Sequence, residues 1–302
     1  MGRREIGQII ERVAELGTLP EVTQKILSLT EDPNSSARDL NEVLKHDMAL
    51  SSKLLRVVNS AFYGLPGRVA DLDRAIVLLG FQAVRNLAIA ATMASLFRKS
   101  GPEVPGFDAK DLWRHSVATA VTARAVVNTV GLRSIREEAF LAGIVHDIGV
   151  LVEFQYATTQ FALVIDEVSK GGKNLMQAET DVLEISHQEV GKALAERWKF
   201  PKNMQMVTGH HHRPDRLAEE HRLLPSVIAM AGDMAEKSGE PFEKGIAGIF
   251  SFLEHPLVKG QCGDFANLMN VIHRQHGASL NPWSTCFFSI ARPCWCSFTS
   301  AC

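Results

Sequence analysis

From residue 1 to residue 280 apolar residues recur at helical spacing almost without interruption, and runs that alternate apolar with polar between turn signals are scarce. A chain patterned this way has little with which to line one face of a sheet, and it reads as all-α. At 302 residues and 46% apolar content it can build the core of one large or two modest domains. Lys plus Arg number 32 against 34 Asp plus Glu, a net charge of −2, so no basic field exists to hold a phosphate backbone and non-specific nucleic-acid binding is not expected. No continuous apolar run approaches the roughly 20 residues that span a bilayer, and the first residues, MGRREIGQII, are polar where a signal peptide needs an apolar stretch. A cytoplasmic protein with no membrane partner is the expectation.

Ser36 and Asp39 stand in capping-box relation, and Leu40, Val43, Leu44 and Met48 then mark one helix face. Leu50, Leu54, Leu55 and Val58 repeat the pattern up to a break at Asn59-Ser60-Ala61-Phe62-Tyr63-Gly64, which Pro66 and Gly67 extend into a loop. Asn59 and Ser60 are expected to end that helix and to bond backbone at the junction between two lobes. Asp73 to Phe97 is helical again, with Gly80 as a joint, which completes an N-terminal lobe over 1–98. Two prolines and two glycines between Lys99 and Gly106 mark a domain boundary, followed by a second helical domain over 99–280. Its helices are expected at Trp113 to Val130, Ile135 to Phe154, Thr159 to Gly171, Asn174 to Trp198, Asn203 to His210 and Leu223 to Ser238. The stretch Phe140 to Gly149 is apolar almost all round and belongs at the centre.

The tail over 281–302 differs: Trp283, Phe287, Phe288, Trp295 and Phe298 lie among serines and cysteines, and the helical period is lost. Cys286, Cys294, Cys296 and Cys302 lack the paired C-x2-C spacing of tetrahedral thiolate sites, so the tail reads as an end without function rather than a zinc knot. With Cys262 alone in the body, no disulfide framework is readable.

Chemistry is concentrated in the second domain. His115, His146, His187, His210, His211 and His212 fall in or near its helices, with Asp147 and Asp233 beside them in segments that otherwise read as buried. Imidazole with carboxylate is a ligand set for iron, manganese or zinc, and a metal relieves the cost of burying such groups alone. On a helix, consecutive His146 and Asp147 would point about 100° apart and could serve two ions of one cluster. Asp111, four residues before His115, is a further ligand or a residue that orients one. A lone histidine on an apolar helix is usually a satisfied core residue; the order H, HD, H, HH, D along one helical domain is far more specific.

That order resembles the HD superfamily of metal-dependent phosphohydrolases, with His115, His146-Asp147 and Asp233 at its H, HD and D positions. His187 with Gly191, and His211-His212, resemble the branch that hydrolyses cyclic dinucleotides. Leu19-Pro20, Asp47 within Lys45 to Leu50, Leu54 to Gly64 and Ala75 to Gly80, together with the His-His-x-Pro of His211, His212 and Pro214, are similar to the HDOD domain, the HD-related output domain of bacterial signalling proteins. The likeness covers roughly Thr18 to Ser238, and it makes 99–280 an HD-like domain. It implies His115, His146, His187, His211, His212 and Asp233 as terminal ligands and Asp147 as bridging and catalytic residue of a dinuclear iron or manganese site, zinc being the alternative. His210 is the least secure of the three consecutive histidines, and Arg114 and Arg213 are weak candidates for phosphate contact. No residue is assigned to an organic cofactor.

Two departures shape the functional expectation. The cyclic-dinucleotide hydrolases place lysine three residues after the HD aspartate, where this chain has Val150. They follow the paired histidines with a Gly-Tyr-Pro segment, where this chain has Arg213-Pro214-Asp215-Arg216-Leu217. Substrate-side groups are thus eroded while ligands are retained. The leading expectation is a signal-transduction output module, with a signalling protein as partner because no receiver or sensor domain is attached, and a ligand or partner that shifts its conformation. The alternative is a metal-dependent phosphohydrolase acting on a nucleotide or other phosphodiester.

Overall fold

The computed structural model describes residues 19–236 apart from 33, 61–62, 64 and 98–102. Among them every regular element is helical, and the one extended pairing is an isolated bridge between Val104 and Phe107. By packing they fall into two compact units, each made of two stretches: 19–107 with 147–209, and 108–146 with 210–236. This division differs from a linear one at 98/99, because residues 147–209 pack with the N-terminal stretch. The cysteine-bearing tail expected over 281–302 lies outside the described residues.

In the first unit, α1 (Glu21–Glu31), α2 (Ala37–Lys45), α3 (Met48–Val58), α4 (Leu72–Leu79) and α5 (Phe81–Phe97) gather around α5. The capping box at the start of α2 is present: Ser36 N–H donates to Asp39 Oδ2 at 2.8 Å and Asp39 N–H to Ser36 Oγ at 3.4 Å. Met48 does not share a face with Leu40 and Leu44 as expected. The Asp47 carboxylate accepts from Leu50 N–H at 2.9 Å and starts α3 anew, which leaves Met48 on its first turn and 84% exposed. Gly80 does separate two helices, at φ 88°.

Asn59 ends α3, and its side chain donates to Leu55 O (2.7 Å) and Val69 O (2.8 Å) while accepting from Val69 N–H (2.7 Å). Ser60 Oγ donates to Val57 O at 2.6 Å. Both therefore bond backbone, but Asn59 clamps the loop after α3 at Val69 and Ser60 closes the last turn of α3, and neither bond joins two lobes.

The remainder of this unit comprises α8 (Ile148–Tyr156), α9 (Thr158–Ser169), α10 (Leu175–Leu183), α11 (His187–Arg197) and α12 (Lys202–His210), whose last residue begins the other unit's second stretch. Helices α8 and α11 pack together, as do α9 and α10, and Gln155 Nε2 donates to Leu96 O at 3.2 Å, tying α8 to the end of α5. The helix expected over Asn174 to Trp198 is two. Glu184 takes a left-handed conformation at φ 56°, and Ser186 opens α11 in a capping box with Glu189.

The second unit contains α6 (Ala109–Thr129), α7 (Arg136–Val145) and α13 (Glu219–Glu236), with α6 packed on both others. Gly143 permits the close approach of α7 to α6, since a Cβ there would lie 2.4 Å from Ala120 Cα. The helix expected over Ile135 to Phe154 is also two, α7 and α8, separated by His146 and Asp147. Residues 133–156 reach a mean hydropathy of 1.3 over 18 residues, enough by length and composition for a membrane span, yet 83% of that window is buried within the protein.

Candidate metal centre

His146 and Asp147 occupy the turn between α7 and α8, so they do not share one helix as the spacing argument assumed. His146 is buried and its Nδ1 lies 2.9 Å from Gly143 O. A carbonyl can only accept, so Nδ1 is the donor, and in the neutral ring the lone pair falls on Nε2. That Nε2 stands 3.3 Å from Nε2 of His115 on α6. The ring of buried His211, just past α12, lies 5.0 Å edge-on from that of His146. Exposed His212 follows with its ring 4.2 Å from that of His211, and each offers a ring nitrogen within 4.8 Å of the other. The second unit thus brings together His115, His146, His211 and His212. Asp233, half-buried near the end of α13, follows Gly232, whose nearest side-chain neighbour is Thr119, one turn beyond His115 on α6. His210 is the last residue of α12.

Asp147 and His187 belong to the first unit. His187 is the first residue of α11 and fully buried, with Nε2 3.7 Å from Asp147 Oδ1. Its other ring nitrogen, Nδ1, lies 2.9 and 2.8 Å from the two oxygens of Glu179, and its backbone N–H donates to Glu179 Oε2 at 3.0 Å. Burial pulls the His187 pKa down, but the Glu179 charge and hydrogen bond, with Asp147 behind them, outweigh it and leave it raised.

Glu153, on α8, is 1% exposed. Burial first, then the neighbouring charges of Glu179, Asp147 and Glu189, hold its carboxyl well above the usual carboxylate range. As two ionised carboxylates Glu153 and Glu179 have only acceptors, and neither Glu153 oxygen then finds a hydrogen bond. A proton held on Glu153 makes it a donor toward the Glu179 carboxylate.

Neither glutamate was expected from sequence. A signal existed for both: Glu153 interrupts the apolar run of α8, and Glu179 falls four residues before Leu183 on the buried side of α10. Asp111 and Arg114, assigned separately to metal and phosphate, form an ion pair with each other on a half-exposed face of α6. Arg213 is exposed, and Val150 is 2% exposed in the core.

The donor geometry suits a divalent ion. Two nitrogens bonded to one ion at about 2.1 Å lie about 3.0 Å apart at an octahedral angle and about 3.4 Å apart at a tetrahedral one. The 3.3 Å between the His115 and His146 nitrogens falls within that interval. The 3.7 Å between His187 and Asp147 is within the roughly 4.2 Å that one such ion can span. Imidazole with carboxylate suits iron, manganese and zinc alike.

Solved structures share this fold. An HDOD domain protein of unknown function from Geobacter sulfurreducens superposes with a TM-score of 0.74 at 20% identity, over 94% of this chain and 99% of that one. A protein of Shewanella amazonensis SB2B, provisionally named a phosphohydrolase, gives 0.69 at 27% identity over 89% and 94%. One from Marinobacter aquaeolei VT8, provisionally named for signal transduction, gives 0.67 at 24% over 91% and 65%. An uncharacterized protein of Treponema pallidum (strain Nichols) is 25% identical over 248 residues, 81% of this chain and 47% of that protein, so the chain spans about half the length of the curated relative it matches. The family model of the HDOD domain matches residues 16–214, well over half of the chain, and with the helical fold and the H, HD, H, HH series in place the chain belongs to the HDOD domain family.

Proposed function

We propose that this chain is an output or regulatory module of bacterial signal transduction, working in the cytoplasm with a separate signalling protein as partner, and that it keeps an HD-type metal site. In this reading the N-terminal lobe over 1–98 and the HD-like domain over 99–280 are the family's two parts. His115, His146, His187, His211, His212 and Asp233 are terminal ligands and Asp147 the bridge. Consecutive residues have Cα atoms about 3.8 Å apart, so an imidazole and a carboxylate at 146 and 147 are tied to the same neighbourhood by the chain itself.

The observation that carries the regulatory reading is Val150. Where the hydrolases it resembles present a lysine, this chain has an isopropyl group buried at 2% exposure on α8, which offers no charge to a phosphate oxygen. The retained ligand series favours a second reading, a metal-dependent phosphohydrolase with a nucleotide as substrate, and the 27% identical Shewanella protein bears that class of name. Metal at this site would lower the pKa of a bound water and neutralise phosphoryl charge.

The test is metal analysis of protein purified aerobically and anaerobically, with hydrolysis assays on a generic phosphodiester and on mono- and cyclic nucleotides. Stoichiometric iron, manganese or zinc without turnover supports the regulatory site. Turnover that Asp147→Ala abolishes establishes the enzyme instead. A metal-free result in every preparation removes the metal site from both readings.

A further inference from the structure

We infer that Glu179 is a positioning residue that fixes the ring of His187 so that Nε2, rather than Nδ1, is the nitrogen presented to metal. The inference deepens the reading above and rests on it for the metal, but not for the ring orientation. Glu179 grips His187 twice. Its oxygens lie 2.9 and 2.8 Å from Nδ1, and Oε2 also accepts the His187 backbone N–H at 3.0 Å. That amide belongs to the first turn of α11, where a helix has no internal acceptor for it, so one carboxylate satisfies the helix start and the ring together. A carboxylate cannot donate, so with the imidazole neutral the proton is on Nδ1 and the lone pair on Nε2, the atom 3.7 Å from Asp147 Oδ1. Rotation of the ring to present Nδ1 instead would break the Glu179 bond within a fully buried space.

Glu179 is placed for this by the chain's own turn. Helix α10 ends at Leu183, the left-handed Glu184 reverses the backbone, and α11 begins at His187, bringing the last turns of α10 alongside the start of α11. The carboxylate is 0% exposed, so no water competes for its oxygens.

The test uses full-length protein with 15N-labelled histidine, prepared metal-free at alkaline pH, where the imidazole is neutral. Long-range proton–nitrogen correlation spectra report which ring nitrogen of His187 carries hydrogen. The expected result is the Nδ1–H form in the unsubstituted protein and loss of that single form in Glu179→Gln, whose amide can accept the ring proton only by giving up the backbone bond or pointing its NH2 at one of them. In a Mn2+ titration, affinity should fall about ten- to a hundredfold in Glu179→Gln, with no further fall when the same change is made in His187→Ala. An Nε2–H form in the unsubstituted protein overturns the inference, as does unchanged Mn2+ affinity in folded Glu179→Gln. Should Glu179→Gln fail to fold, the unsubstituted spectrum still decides, and Glu179→Asp, which keeps the charge but shortens the reach, replaces it. If Mn2+ does not bind at all, the metal reading fails while the spectrum continues to judge the ring.

Discussion

The backbone of Gly149 lies directly against the carbonyl of His187: a Cβ added to Gly149 would come within 2.0 Å of that oxygen and 2.9 Å of Gly191 N. Backbone atoms cannot rotate aside as a side chain can, so Gly149→Ala must drive α8 and α11 apart at the residue that carries the ring of His187. The expected loss is about 3 kcal/mol in urea unfolding. Gly143→Ala, 2.4 Å from Ala120 Cα, should behave alike, and Gly67→Ala, with nothing within 4 Å, should change little. Equal stability of all three variants would contradict this packing.

A buried acid whose folded pKa is raised keeps its proton more tightly in the folded chain, so its favourable contribution is full below the unfolded carboxyl range and is lost as pH rises toward the folded value. Glu153 is such a group. Relative to Glu153→Gln, the unsubstituted protein should lose stability with a slope approaching about 1.4 kcal/mol per pH unit above about pH 4.3. The variant should be the more stable at neutral pH. Parallel stability curves for the two proteins across a pH series of urea melts would refute this.

Asn59→Ala removes three bonds to backbone and leaves the buried N–H and carbonyl of Val69 without that partner. A cost of about 1–3 kcal/mol is expected. Ser60→Ala, which loses one bond on an exposed turn, should cost well under 1 kcal/mol. Chemical denaturation of the two variants side by side provides the measurement, and a larger effect at Ser60 would reverse the assignment.

Metal that binds only the folded chain must stabilise it. Mn2+ at about 100 times its dissociation constant should add about 2.7 kcal/mol and raise Tm by several degrees. His115→Ala and His146→Ala should each abolish most of that increment while keeping the metal-free Tm within a few degrees. Thermal melts with and without Mn2+ and chelator give the answer; an increment that survives both substitutions would place the ion elsewhere.

Local signals carried much of the fold. Ser36 with Asp39 opens a helix because both bonds of the box are made within four residues, and Gly80 breaks one because its positive φ needs no distant partner. The helical class and the residue types able to take a metal were likewise legible, since periodicity and side-chain chemistry are properties of the chain itself. Where helices had to divide was not. Apolar periodicity runs unchanged through His146-Asp147 and through Glu184 to Ser186, because residues on both sides of each turn are buried and demand the same composition. Asp47 shows the reverse case, a cap that the apolar pattern concealed.

The linear order of residues suffices for an all-α chain with imidazoles and carboxylates in the HD order. Folding was needed to bring Glu179 onto His187, to bury the acid of Glu153 beside it, and to pair Asp111 with Arg114 on a half-exposed face, because hydrogen bonding and proton affinity depend on distance and burial. The close approach of Gly149 to His187, 38 positions later in the chain, exists only once α8 and α11 have packed.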